Sequence, residues 1–63
     1  MIYSDWVAVV KDGNAWVPIR MLKSLTMGFS VPWEALDRWE HKKDARKQAS
    51  AWAKEKGWRF VDV

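Results

Sequence analysis

The chain has 63 residues and 7.4 kDa, with 11 basic and 8 acidic side chains, a net charge of +3 and an isoelectric point near 9.5. Without cysteine and with a single histidine, it is excluded from disulfide frameworks, Cys-based zinc or iron–sulfur sites and His-rich metal sites. A domain of this mass buries only about 60% of the surface of its unfolded chain, so its stability has to come from packing, for which six tryptophans supply bulk.

The 30% charged content beside abundant aromatics argues against disorder. No apolar run approaches the roughly 20 residues needed to span a bilayer, so no membrane partner is expected. Met1–Asp5 shows neither a basic nor an apolar leader region. Together with the missing cysteine, this gives a cytoplasmic expectation. No repeat or linker divides the chain, so residues 1–63 read as one domain.

In chain order, Trp6-Val7-Ala8-Val9-Val10 is a β-branched, aromatic run of strand type. Lys11-Asp12-Gly13-Asn14 supplies a tight turn, and Ala15 to Met21 then alternates as a second strand. Pro18 cannot donate to a ladder, so this strand is expected to have an edge, at least locally.

Leu22 to His41 admits two readings. Ser30-Val31-Pro32-Trp33-Glu34 has the form of a helix start, whereas Phe29, Val31, Trp33 and Ala35 alternate as a strand does. The reading adopted is an extended stretch over 27–33 and an irregular or short helical piece to 40.

From Lys42 to Lys56, Ala45, Ala49, Trp52 and Ala53 form the apolar stripe of a helix. Gly57 sits at the left-handed C-cap position, and Trp58 to Val63 reads as a closing strand. The predicted fold is α+β in ββ(β)αβ order: a small antiparallel sheet with one amphipathic helix on one face.

Pairing across the Asp12–Asn14 turn groups Trp6, Ala8 and Val10 with Val17, Ile19 and Met21. This uniformly apolar side is the one expected to receive the helix, with Trp6 and Trp52 in the core. The other side, with Val7, Val9, Lys11, Trp16, Pro18 and Arg20, is expected to stay open or be covered by residues 22–41. Trp16 and Trp39 are the tryptophans expected at the surface. On the helix, Lys43, Arg46, Lys47, Ser50 and Lys54 gather in a basic stripe opposite the alanines.

No catalytic constellation is present in the sequence. His41 stands between Glu40 and Lys42, no serine lies in a Gly-x-Ser-x-Gly motif, and the glycines are too dispersed for a phosphate loop. No enzyme activity, cofactor or metal is therefore expected. The stretch His41-Lys42-Lys43-Asp44-Ala45 leading to Trp52-Ala53 faintly resembles the helix following the sheet in arm-type DNA-binding modules of tyrosine recombinases. It spans about a fifth of the chain in common residues and identifies no family.

These features point to a small binding module, a regulatory adaptor or inhibitor that docks on a larger protein or complex. Its candidate partner surface comprises Lys11, Trp16, Arg20, Trp39, Lys43, Arg46, Lys47 and Lys54. The alternative is a nucleic-acid-binding module using the basic helix face and exposed tryptophans. A homodimer is the third arrangement.

Overall fold

The computed structural model describes residues 3–61. It is an α+β domain with strands β1 (Tyr3–Asp12), β2 (Ala15–Ser24) and β3 (Ser30–Ala35), helix α1 (Lys42–Lys56) and strand β4 (Arg59–Phe60). The strands form a mixed sheet in the order β3-β2-β1-β4.

β1 and β2 pair without interruption from Tyr3↔Ser24 to Asp12↔Ala15, which leaves Gly13-Asn14 as a two-residue loop. Gly13 has φ 63°, and no described residue other than glycine has a positive φ. That combination is the signature of a type II′ turn, whose twist matches that of the flanking strands.

β3 pairs antiparallel with β2, and Arg20↔Glu34 is followed by Met21↔Pro32, so Trp33 is the extra residue of a bulge. The middle segment is thus extended over Ser30–Ala35 rather than helical, and starts and ends later than the predicted 27–33.

Pro18 lies in β2, which is a central strand and not an edge. The ladder nevertheless breaks beside it. The Leu36 N–H donates to the Pro18 carbonyl at 3.0 Å, and the chain rejoins β2 only at the Trp16↔Trp39 bridge. The departure coincides with the one position on β2 that has no N–H to give.

α1 has the predicted limits. His41 is its N-cap residue, and Gly57, at φ 74°, closes it by donating its N–H to the Ala53 and Lys54 carbonyls. β4 is shorter than the predicted closing strand and pairs parallel with β1 through Trp6↔Arg59 and Val7↔Phe60; Asp62 and Val63 lie outside the described residues. β3 and β4 both run parallel to β1, so α1 is the crossover between them and must pass over β2 and β1.

The core consists of Val7, Ala49, Trp52 and Ala53, with Val9, Leu36, Trp58 and Phe60 packed around it. Ala45 and Ala49 are fully buried, so the helix backbone comes close to the sheet. Trp52 meets Trp58 edge-to-face at 5.4 Å between ring centroids.

This arrangement corrects the predicted faces. Cross-strand pairing does group Trp6, Ala8 and Val10 with Val17, Ile19 and Met21. However, α1 covers the opposite side, that of Val7, Val9, Pro18 and Arg20, and Val17 and Ile19 point away from it. Trp6 is half-buried on the uncovered side and is not part of the core. Both sides hold enough apolar surface to accept a helix. Which one receives it is decided by the crossover, because β-α-β crossovers are right-handed in about 98% of cases and one hand allows only one face.

Candidate interaction surfaces

The predicted partner residues separate into two groups. Lys11, Trp16, Arg20 and Trp39 lie on the side of the sheet that faces α1. Trp16 and Trp39 exchange backbone hydrogen bonds of 2.6 and 2.8 Å. The Trp16 ring lies between two cations, with the Lys11 Nζ 5.7 Å and the Lys42 Nζ 5.1 Å from its centroid. The Trp39 indole donates to Gln48 Oε1 at 2.7 Å, and Gln48 Nε2 donates to Asp37 Oδ2 at 3.0 Å, tying the segment before α1 to the helix. Both tryptophans are half-buried, which corrects their expected exposure.

Arg20 is equally engaged. Its Nε donates to Asp5 Oδ1 at 2.9 Å, its guanidinium reaches Glu34 at 3.5 Å, and it stacks 4.4 Å above the Trp58 ring. This clamp neutralises the charges on the covered face and lets α1 and Trp58 close over them. Near the hairpin turn, Arg38 pairs with Asp12.

Lys43, Arg46, Lys47 and Lys54 are all exposed on α1, as the stripe predicted. α1 holds six basic and two acidic side chains, a net +4 that exceeds the +3 of the whole chain. The positive charge is therefore concentrated on the side of the molecule opposite the helix-free sheet face.

Two further surfaces escaped the sequence reading. The first is the helix-free side of the hairpin, where Trp6, Ala8 and Val10 lie opposite Met21, Ile19 and Val17; Ala8 and Val17 are buried there, Trp6, Ile19 and Met21 half-buried, and Val10 is 36% exposed.

The second is an apolar tip at the β2–β3 connection. Leu25, Met27 and Phe29 are 57%, 68% and 47% exposed, and Trp33, on the bulge of β3, is 64% exposed. Ser24, which is fully buried, holds this connection in one shape. Its N–H donates to the Phe29 carbonyl at 2.9 Å, its carbonyl accepts from the Gly28 N–H at 2.9 Å, and its Oγ accepts from the Met27 N–H at 3.0 Å. Gly28 supplies the reversal at φ 78°. Beside the tip, Lys23 and Arg59 border a shallow groove with Ser4, Asp5, Trp6 and Leu25.

A signal for the tip was present in the sequence: Ile19 to Trp33 contains no acidic residue, and Leu25, Met27 and Phe29 alternate with small residues. The extended stretch expected over 27–33 takes in Met27 and Phe29 but not Leu25.

No family model matches the chain, and neither the curated proteins nor the solved structures provide a match. Function is therefore argued from the chemistry of these surfaces. Among the described residues, no group of three or more His, Asp or Glu side chains is placed to hold a metal ion, and no helix is long and apolar enough to cross a membrane.

Proposed function

We propose that this protein is a non-enzymatic binding module, a regulatory adaptor or inhibitor that docks on a larger protein through its apolar tip. The observation that supports this reading is the display of Leu25, Met27 and Phe29 in water on a connection fastened by the buried Ser24. Exposed apolar side chains on an ordered, hydrogen-bonded loop lose little conformational entropy on association, which favours tight contact. Each contributes about 1.5–3 kcal/mol if fully buried. Lys23 and Arg59 lie alongside, Asp5 in the same groove is held by Arg20, and no acid occurs from Ile19 to Trp33, so the complementary site is an apolar cleft with an acidic rim.

The test is quantitative affinity capture from native lysate with the wild type and with Met27→Asp, followed by reconstitution with the purified partner. Met27 is exposed, so the substitution should leave the circular dichroism spectrum and the melting temperature unchanged while lowering the affinity about tenfold or more. Equal affinity of the two proteins for every partner would refute docking through the tip.

The net +4 of α1 supports a second reading, nucleic-acid binding through Lys43, Lys47 and Lys54. Fluorescence anisotropy with DNA and RNA oligonucleotides decides it. Binding by this stripe should fall by an order of magnitude or more between about 50 and 200 mM salt, and should be lost in the Lys43→Glu/Lys47→Glu variant. Absence of binding at the lower salt eliminates it.

A further inference from the structure

We infer that the groove at the tip end of the helix-free sheet face binds single-stranded nucleic acid, with a base against Trp6 and neighbouring phosphates on Arg59 and Lys23. Occupancy of this groove depends neither on docking through Met27 and Phe29 nor on the basic stripe of α1.

Strand register brings the groups together. Trp6 pairs with Arg59 of β4; Ser4, two residues earlier on β1, pairs with Lys23 of β2, and Lys23 pairs in turn with Ser30 of β3. Cross-strand partners share a side, and alternate residues of a strand return to it. Arg59, Trp6, Ser4, Lys23 and Ser30 thus form one row across all four strands, on the side away from α1. They line an open groove of about 600 Å³, bordered by Leu25 and Gly28 of the β2–β3 connection.

The positive charge of the groove is uncompensated. Lys23 and Arg59 are exposed, and neither has an ion-pair partner among the described residues. Asp5 also borders the groove, but it belongs to the opposite side of β1, where Arg20 holds its carboxylate at 2.8 Å. Among the described strands the one acidic residue on the helix-free side is Asp12, which lies at the far end of the hairpin and pairs with Arg38.

An anion is therefore the complementary occupant, and the spacing of the cations defines its kind. With strands about 4.8 Å apart and a rise of about 3.4 Å per residue, the backbones at Lys23 and Arg59 are about 12 Å from each other, with Ser4 and Trp6 between them. Recognition of one isolated phosphate brings several donors to a single point. Two separated cations with an indole between them instead follow a chain of phosphates while a base stacks on the ring. Ser4 and Ser30 add hydroxyls that can donate to phosphate or sugar oxygens.

The open shape favours a strand over a free nucleotide. A small ligand needs most of its surface enclosed, whereas a strand gathers affinity from successive units, and a four-stranded face accommodates about two or three bases. A duplex keeps its bases within the stack and offers none of them to Trp6.

Fluorescence anisotropy with labelled single strands of uridine and of thymidine, and with a duplex, tests this. Single strands should bind about tenfold or more tightly than the duplex at about 50 mM salt, and with two phosphates engaged their affinity should fall about sevenfold by about 200 mM. Trp6→Leu should weaken binding about tenfold, and Lys23→Glu/Arg59→Glu should abolish it. Both charges are at exposed positions, so the double variant keeps the wild-type circular dichroism spectrum and serves if Trp6→Leu does not fold. Lys43→Glu/Lys47→Glu has the same net charge and should retain binding, which shows that position rather than total charge decides. Met27→Asp should bind like the wild type, which separates the groove from docking through the tip. No binding of single strands at the lower salt, equal affinity for the duplex, binding that survives Lys23→Glu/Arg59→Glu, loss in Lys43→Glu/Lys47→Glu or in Met27→Asp, or equally effective displacement by a free mononucleotide or an acidic peptide would overturn the proposal.

Discussion

The two faces of the β1–β2 hairpin are built from alternate residues of the same twenty and have opposite fates. One has only apolar side chains in its central positions and receives no helix. The other mixes Val7, Val9 and Pro18 with Asp5, Lys11, Trp16 and Arg20, and holds the helix. Apolarity alone would choose the first. The second is covered because its charges are resolved internally: Arg20 is held by Asp5, Glu34 and the Trp58 ring, and the crossover from β3 to β4 passes on that side. A buried face can thus be the more polar one, provided every charge has a partner there. On the helix-free face Ala8 and Val17 are buried by their neighbours, and Val10, 36% exposed, is the central residue most open to water.

The contrast breaks most sharply at its tryptophans. Trp52→Ala removes a buried ring from the covered face and should cost about 3–5 kcal/mol, comparable to the whole stability of a domain this small. Urea denaturation followed by circular dichroism should show the variant largely unfolded in buffer. Trp6→Ala, on the helix-free face, should cost less than half as much. Equal losses from the two would mean that the faces do not differ as described.

A smaller difference is expected along α1. Ala49 is fully buried against the sheet, whereas Ala51 is exposed. Ala49→Leu should force the helix from the strands at a cost of about 1–3 kcal/mol, and Ala51→Leu should stay within about 0.5 kcal/mol of wild type. Thermal melts of the pair measure how closely the helix is seated.

The smallest effect belongs to the outer stripe. Lys43 and Lys47 form a like-charge i, i+4 pair, and Lys47→Glu replaces it with an attractive one, stabilising the helix by a few tenths of a kcal/mol. The gain should shrink as salt is added. A loss of stability at low salt would show that Lys47 makes a contact beyond the solvated helix face.

Much of the architecture was legible from short-range patterns. The limits of α1 follow from the spacing of Ala45, Ala49, Trp52 and Ala53 and from Gly57. Which hairpin residues share a side follows from the even loop length, while the structure alone selects the Gly13-Asn14 loop over Asp12-Gly13 and so sets the register. The basic stripe was found for the same reason, since helical periodicity alone decides which lysines share a side. Exposure of Trp16 and Trp39 was misjudged because their burial depends on a bridge between residues far apart in sequence and on Gln48 reaching back from the helix. The tip is not legible because the alternation of Phe29, Val31, Trp33 and Ala35 extends a strand pattern back into the connection, and the buried Ser24 that fastens the connection leaves no local pattern.

The amino-acid order by itself determined the α+β class, the hairpin and the grouping of its side chains, the span of the helix and the side on which its cations lie. Each of these is set by interactions within a few residues or by a period of two or 3.6. Only the tertiary structure decided which side of the sheet is covered, where the ladder yields to Pro18, and that Leu25, Met27 and Phe29 remain in water. Those outcomes depend on the hand of a crossover and on pairings across the whole chain, and local periodicity contains no information about either.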